Sequence, residues 1–320
     1  MLVYTDSTDY AQTVLGRRAD LWSVPASEVS DDLRSLIERA YGAKEIRAST
    51  VQNGSPWHHL LLVEVAERSH FDLMIELGRS GVRLPDRVLC LAGAGERFHG
   101  FKGRRWSAPR GNIYLSAHLR PNQAVERPAS SFTVLAAVSV VDAIDAMPGL
   151  EKSAGIKWVN DILIDGAKVA GVLAYTQSAG ESISGAVLGI GVNVETEPDV
   201  APTPFVPRVG ALKSMAPRPE ACTQRRFFTA LVAALDANYG RLLAGGYEAL
   251  LDRYRERALV IGRRVTLCSD EPGDHLDVMA QGRVTGIGEG LELVIEGYER
   301  PFTKGRLVAG SLEDFVSRKR

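Results

Sequence analysis

Three cysteines in 320 residues, Cys90, Cys222 and Cys268, are too few and too far apart for a disulfide framework. No pair of them has metal-ligand spacing, so they read as reduced thiols in a reducing compartment. Lys and Arg number 38 against 39 Asp and Glu, a net charge of −1, which gives no global attraction to nucleic acid or to an anionic membrane. No arginine-flanked apolar leader opens the chain, and no run reaches the roughly 18 apolar residues of a membrane span. These gaps predict a cytoplasmic protein without a membrane partner. What is present is a hydrophobic fraction of 45% over a length that suggests two or three units.

The most informative stretch runs from Lys157 to Thr176, where a single lysine lies among Ile156, Trp158, Ile162 and Ile164, followed by Val169, Val172 and Leu173. These residues suit strands, and Asp165-Gly166 between them is a hairpin signal, so two apolar strands are expected around Lys157. A lysine buried without an anionic partner loses its proton or costs several kcal/mol. Lys157 therefore either meets a negative ligand or folds its ammonium out to solvent.

Upstream, a strand is expected over Leu60 to Val65, then the polar run Glu67 to Asp72 and a helix-like Leu73 to Leu77, with Ser69 as its cap. A strand from Arg87 to Leu91 leads into a glycine-rich loop, Gly93 to Gly111. There Arg97, Lys102, Arg104, Arg105 and Arg110 face only Glu96. Such a loop is either a solvated basic face or one that closes on an anion, with Gly100 and Gly103 letting backbone amides approach a phosphate. A helix is expected over Ser130 to Met147, with Ser130 or Ser131 as cap and its apolar residues on one face. Beyond a proline-rich loop, Pro198 to Pro219, helices are expected over Thr223 to Leu243 and Tyr247 to Arg257. Short strands then follow at Arg264 to Cys268, His275 to Ile287, Leu291 to Ile295 and Arg300 to Val308, which suggest a compact barrel. Residues 1–58 carry eight acidic and six basic side chains, net −2. One helix, Asp31 to Tyr41 capped by Ser30, is expected there, before a turn at Asn53-Gly-Ser-Pro56. DNA phosphates would be repelled by that charge.

Three segments resemble the biotin protein ligases, in family order. Lys157-Trp-Val-Asn-Asp161 with Lys168-Val-Ala-Gly-Val-Leu173 is similar to that family's Lys-Trp-Pro-Asn-Asp and Lys-x-x-Gly-Ile-Leu. His99-Gly-Phe-Lys-Gly-Arg-Arg-Trp106 with Gly111-Asn-Ile-Tyr-Leu-Ser116 resembles its adenylate-binding loop and the strand behind it. Gly189-Ile-Gly-Val-Asn193 resembles its Gly-x-Gly-Ile-Asn strand. Two departures stand out. The Gly-Arg-Gly-Arg-Arg-Gly of the family is here Phe98-His-Gly-Phe-Lys-Gly, and Arg68 and Ser69 stand where it has a Ser-Thr pair. The likeness covers roughly residues 59 to 312.

The resemblance implies an α+β fold, a central mixed sheet flanked by helices as in a class II synthetase-like ligase core, with a small SH3-like β-barrel at the carboxyl end. It implies the division 1–58 of unknown role, 59–257 catalytic and 258–320 SH3-like. The implied reaction joins biotin to AMP from ATP carrying Mg²⁺, and passes the acyl group to a lysine of a biotinyl-acceptor carboxyl-carrier domain. Lys157 would bridge the acid's carboxylate and the α-phosphate, since two anions must be brought together. Arg104 and Lys102 would serve the phosphate loop with Gly100, Gly103 and Arg105. Trp106 would stack on adenine and Asn193 would hold the nucleotide or ribose. Ser69, Asn112, Asn160, Asp161, Gly171, Gly189 and Gly191 complete the implied site. A lipoate or octanoate ligase using the same lysine, and a non-catalytic acyl-adenylate binder, are the alternatives. DNA is not an expected partner, and a homodimer stays open.

Overall fold

The computed structural model describes residues 1–16, 22–24, 29–51, 56–270 and 277–309. The chain begins with β1 (Leu2–Thr5), α1 (Thr8–Leu15), β2 (Trp22–Ser23), α2 (Asp31–Tyr41) and β3 (Arg47–Thr50). Next come β4 (His59–Ala66), α3 (His70–Arg79), β5 (Val88–Gly95), β6 (Ile113–Leu119) and α4 (Pro128–Asp145). Four strands follow, β7 (Ala154–Lys157), β8 (Asp161–Ile164), β9 (Ala167–Ala179) and β10 (Ser182–Val192), then α5 (Leu212–Met215), α6 (Gln224–Leu243) and α7 (Tyr247–Glu256). The last four are β11 (Arg264–Cys268), β12 (Val278–Ile287), β13 (Leu293–Ile295) and β14 (Arg306–Ala309).

Ten strands form one sheet in the order β2-β3-β1-β4-β5-β6-β10-β9-β8-β7. It is mixed, because β4 runs parallel to both β1 and β5 while the other pairs are antiparallel. Strands covered on both faces read as unbroken apolar runs, which explains Leu60-Leu-Leu-Val63 and Val88-Leu-Cys-Leu91. One face packs on α1, α4, α6 and α7, the other on α2 and α3. The carboxyl-terminal strands form a separate antiparallel sheet, β13-β12-β11-β14, the small unit expected there.

Several expectations change. The amino-terminal residues hold two helices, since Ser7 caps α1 by accepting from the Tyr10 amide at 3.3 Å. Three of the ten sheet strands come from this segment. Ser30 stands at the cap of α2, but its hydroxyl makes no capping bond. The Asn53-Gly-Ser turn and the start of the strand placed at His275 lie outside the described residues. Gly93 and Gly95 belong to β5, so the basic loop starts later than the glycines suggest.

Helix α4 is buried on every side between the sheet and helices α6 and α7, so its apolar residues do not mark one face. Its length and composition are those of a membrane span, and its burial gives it a core role here. Its cap is Arg127 in a left-handed conformation (φ 44°), while Ser130 and Ser131 bond back to the Arg127 carbonyl.

The stretch around Lys157 is three strands instead of two. Lys157 ends β7, a turn at Trp158-Val-Asn160 follows, and β8 leads through Asp165 (φ 47°) and Gly166 (φ 77°) into β9. Both turn residues have positive φ, as a type I′ hairpin requires.

Candidate active site

A cavity of about 480 Å³ opens on the α3 side of the sheet, over β6, β9 and β10. Its floor exists because glycines leave room. A Cβ on Gly191 would stand 2.7 Å from the Trp106 ring, and one on Gly189 would stand 3.0 Å from Phe71. Gly171, opposite Gly191 in the sheet, would bring a Cβ to 3.2 Å from Trp106. These glycines let an aromatic ring lie directly on the backbone of two strands.

Lys157 is 7% exposed at the end of β7 and donates from Nζ to the Phe205 carbonyl in the proline-rich loop. Burial pushes its pKa down to about 8; Asp161 opposes that shift, and the like charges of Lys168, Arg306 and Arg104 add to it. The turn behind it is fastened from two directions. Trp158 Nε1 donates to the Leu291 carbonyl at 2.7 Å, and Tyr254 donates its hydroxyl hydrogen to the Val159 carbonyl at 2.9 Å.

Around Lys157 the charges are unbalanced. Lys168 Nζ lies 2.5 Å from Asp161 Oδ1 and 5.3 Å from the centre of the Trp106 ring. Arg306 enters from β14, its guanidinium 3.6 Å from the centre of the Phe205 ring, and burial with the like charge of Arg104 lowers its pKa to about 10. Among the described residues, the cations Lys157, Lys168, Arg104, Arg105 and Arg306 line this cavity against two carboxylates, Asp161 and Asp270. An anionic ligand would relieve that repulsion, and the depressed lysine is the signature of a cation held ready for one.

The anticipated residues divide clearly. Ser69, Gly100, Arg104, Arg105, Trp106, Lys157, Asn160, Asp161, Gly171, Gly189, Gly191 and Asn193 line the same cavity. Asn193 Nδ2 donates to the Gly210 carbonyl at 3.0 Å, and its Oδ1 is buried without a partner, an acceptor left for a ligand hydroxyl or amine. Asn160 ties its own turn to β9 through the Val172 carbonyl at 2.7 Å.

Three residues are placed elsewhere. Asn112 is fully buried and structural: its Oδ1 accepts from the amides of Val194, Glu195 and Thr196, and its Nδ2 donates to the Thr196 carbonyl. Lys102 is off the lining itself, its Nζ 3.3 Å from the Asp270 carboxylate at the cavity's edge, and Gly103 only supplies the positive φ of 73° at the loop tip. Ser69 precedes α3 without capping it by hydrogen bond, which leaves it on the cavity wall.

Sequence reasoning missed Arg306, Asp270 and Phe205, because nothing local in the carboxyl-terminal strands or the proline-rich loop marks them as pocket residues. It also passed over Lys168, although that lysine stands in the quoted motif.

Residues 92–193 match the Biotin/lipoate A/B protein ligase family, and the motifs that carry the match are those converging on this cavity. That match covers about a third of the chain. Similar proteins include the "Biotin--[acetyl-CoA-carboxylase] ligase" of Mycobacterium tuberculosis, 28% identical over 259 residues, 78% of this chain and 91% of that one. The "Bifunctional ligase/repressor BirA" of Bacillus spizizenii is 36% identical over 119 residues, 37% of this chain and 36% of that protein. The match therefore spans little more than a third of the Bacillus ligase/repressor. In fold, the biotin protein ligase from Aquifex aeolicus in complex with biotin and ATP superposes with a TM-score of 0.57 at 18% identity, covering 78% of this chain and 97% of that one. Against the ligase motif quoted above, the present chain is set apart by His99 and Phe101 in the basic loop.

Proposed function

We propose that the protein is an ATP-dependent biotin protein ligase. It forms biotinyl-AMP with release of pyrophosphate, then transfers the biotinyl group to a lysine of a carboxyl-carrier domain. The observation that carries this reading is Lys157, a buried cation with a lowered pKa on a cavity shared by all three family motifs. Attack of a carboxylate on the α-phosphate brings two anions together, and fixed cations that need no reorganisation supply the stabilisation.

In this scheme Lys157 exchanges the Phe205 carbonyl for the carboxylate and α-phosphate oxygens. Arg104 and Arg105 meet the outer phosphates, Trp106 faces the adenine, and Asn193 uses its free Oδ1. Magnesium arrives with ATP as part of the substrate, and Asp161 and Asp270 are the carboxylates on the wall it would meet. Of the polar groups at the acyl end, Ser69 and Ser116 are on the wall, and Phe71, Leu173 and Ile190 supply the apolar remainder. We place the carrier domain beside the sheet and the protein in a reducing cytoplasm, where three buried free thiols fit. No role on DNA is proposed, since residues 1–58 carry a net charge of −2.

A lipoate or octanoate ligase is the second reading, favoured by the apolar wall and by Arg68 standing where the resemblance calls for a hydroxyl. Pyrophosphate release measured with ATP and each acid separately tests both. Unmatched polar groups cost about 1 to 3 kcal/mol each, so biotin should outperform octanoate and lipoate by at least about tenfold. A reversed preference moves the protein to the lipoate branch.

A further inference from the structure

The phosphate loop is fastened to α3 by a histidine and a carboxylate. His99 Nε2 lies 2.8 Å from Asp72 Oδ2, and His99 Nδ1 lies 3.1 Å from the Gly100 carbonyl. Both partners are acceptors, so both ring nitrogens must carry hydrogen for both contacts to be favourable, which describes the imidazolium. Burial alone lowers the His99 pKa, yet the Gly100 carbonyl and the Asp72 carboxylate outweigh it and the net shift is upward.

His99 also sits at the mechanical base of the loop. The residue before it, Phe98, is buried with its ring edge-on to Tyr114 at 5.5 Å. The Trp106 amide donates to the Phe98 carbonyl at 2.9 Å, and the Gly100 amide donates to the Arg104 carbonyl at 2.7 Å. His99 and Arg105 pair as an antiparallel bridge. Whatever moves His99 therefore moves Arg104, Arg105 and Trp106. Asp72 is the charged group that faces His99 from α3, and Arg105 lies across the loop. Glu76, one turn further along α3, is taken by Arg68 and Arg39 and does not compete. The resemblance calls for an arginine at this loop position, a permanent cation, and here a titratable one stands in its place.

We infer that His99 and Asp72 form a proton-dependent clasp that positions the phosphate loop over the nucleotide, so that the loop is held while His99 is an imidazolium and loosened once it gives up a proton. Deprotonation leaves one nitrogen lone pair facing a carbonyl or carboxylate oxygen, and one of the two contacts turns repulsive. His99 and Asp72 are positioning residues in this scheme. The nucleotide part rests on the proposed ATP reaction; the loop part does not.

Chymotrypsin can read the loop directly, because Phe101 at its tip is 41% exposed. In ligand-free protein at about pH 6.5, the His99→Gln and Asp72→Asn variants should each be cut at Phe101 about fivefold faster than wild type. The double variant should be cut no faster than either single one, the mark of a shared contact. The His99→Arg variant keeps a permanent cation and should be cut slowly even at about pH 8.5, where wild type opens. In the pyrophosphate assay, the KM for ATP should rise about fivefold more between these pH values in wild type than in His99→Arg, in which only the titration of Lys157 remains. Cutting at wild-type rates in both single variants, or a His99→Arg protein that opens with pH as wild type does, overturns the clasp. Absence of pyrophosphate release in wild type would overturn the ligase reading alone, since the cutting pattern still decides the clasp.

Discussion

A single lysine sets the strongest demand on this fold. Lys157 has its pKa lowered from 10.5 to about 8, chiefly by burial. At about 1.4 kcal/mol per pH unit, keeping it charged in the folded state costs on the order of 3 kcal/mol. Since the folded pKa is depressed, that cost is fully present below about pH 8 and vanishes above the unfolded value of 10.5. Two outcomes follow at this position. In Lys157→Gln, adenylate formation should fall by roughly a hundredfold or more, because a fixed cation at developing charge is worth several kcal/mol; rapid-quench detection of acyl-AMP checks it. In Lys157→Met, the melting temperature at pH 7 should rise while activity is lost, and the gain should shrink at alkaline pH. A methionine variant that melts lower than wild type at pH 7 would show that the ammonium is well accommodated by Phe205 and Asp161 alone. The same titration predicts that the wild-type kcat/KM declines above about pH 8, where the cation is lost.

At the scale of elements, the site is a product of three strands at one end of the sheet and one loop. Lys157 comes from β7, the glycines from β9 and β10, and Trp106 from the loop that crosses them. Gly191→Ala tests how closely ring and backbone must meet. Its Cβ would stand 2.7 Å from the indole, so Trp106 has to shift. The strand itself tolerates alanine, and stability should change by less than about 1 kcal/mol. Adenylate binding, followed by quenching of tryptophan fluorescence, should weaken by about tenfold or more, because a displaced ring no longer presents its face. Unchanged adenylate affinity in a folded Gly191→Ala protein would remove Trp106 from the nucleotide site.

This level was also the most legible in the sequence. Asp165-Gly166 announces its hairpin because only a few residue types accept two successive positive φ values, and Thr223 announces α6 because its hydroxyl caps the Arg226 amide. Asn112 misled, since an asparagine beside a ligand loop and an asparagine that holds three backbone amides look alike until their partners are known. Arg306 and Asp270 were invisible for a related reason. They reach the cavity only because the carboxyl-terminal sheet docks beside it, and no local pattern encodes docking.

The whole molecule depends on a segment whose role the sequence left open. Residues 1–51 supply β1 and β3, and β1 lies parallel against β4, shielding Leu60-Leu-Leu-Val63 from the sheet's edge. Tyr41 of α2 donates to the Tyr4 carbonyl at 2.9 Å and lies 3.4 Å from the Leu62 carbonyl, stitching the segment to the central strands. Short elements like these carry weak sequence signals, because a four-residue strand leaves no room for periodicity to show. If residues 1–51 were an independent appendage, their removal would leave an active ligase. The structure predicts the opposite: deletion should expose an apolar parallel edge and give insoluble protein, as expected for an unprotected strand of this length. A milder version separates folding from catalysis. Leu36→Ala removes a fully buried side chain of α2, outside the cavity lining, and should cost about 2 to 5 kcal/mol in urea unfolding while leaving the kcat of the folded fraction intact. Loss of stability in one cooperative transition, reported alike by near-UV signals from the whole chain, would establish that the amino-terminal strands and the catalytic sheet fold as one unit; a separate early transition confined to the first 51 residues would establish the reverse.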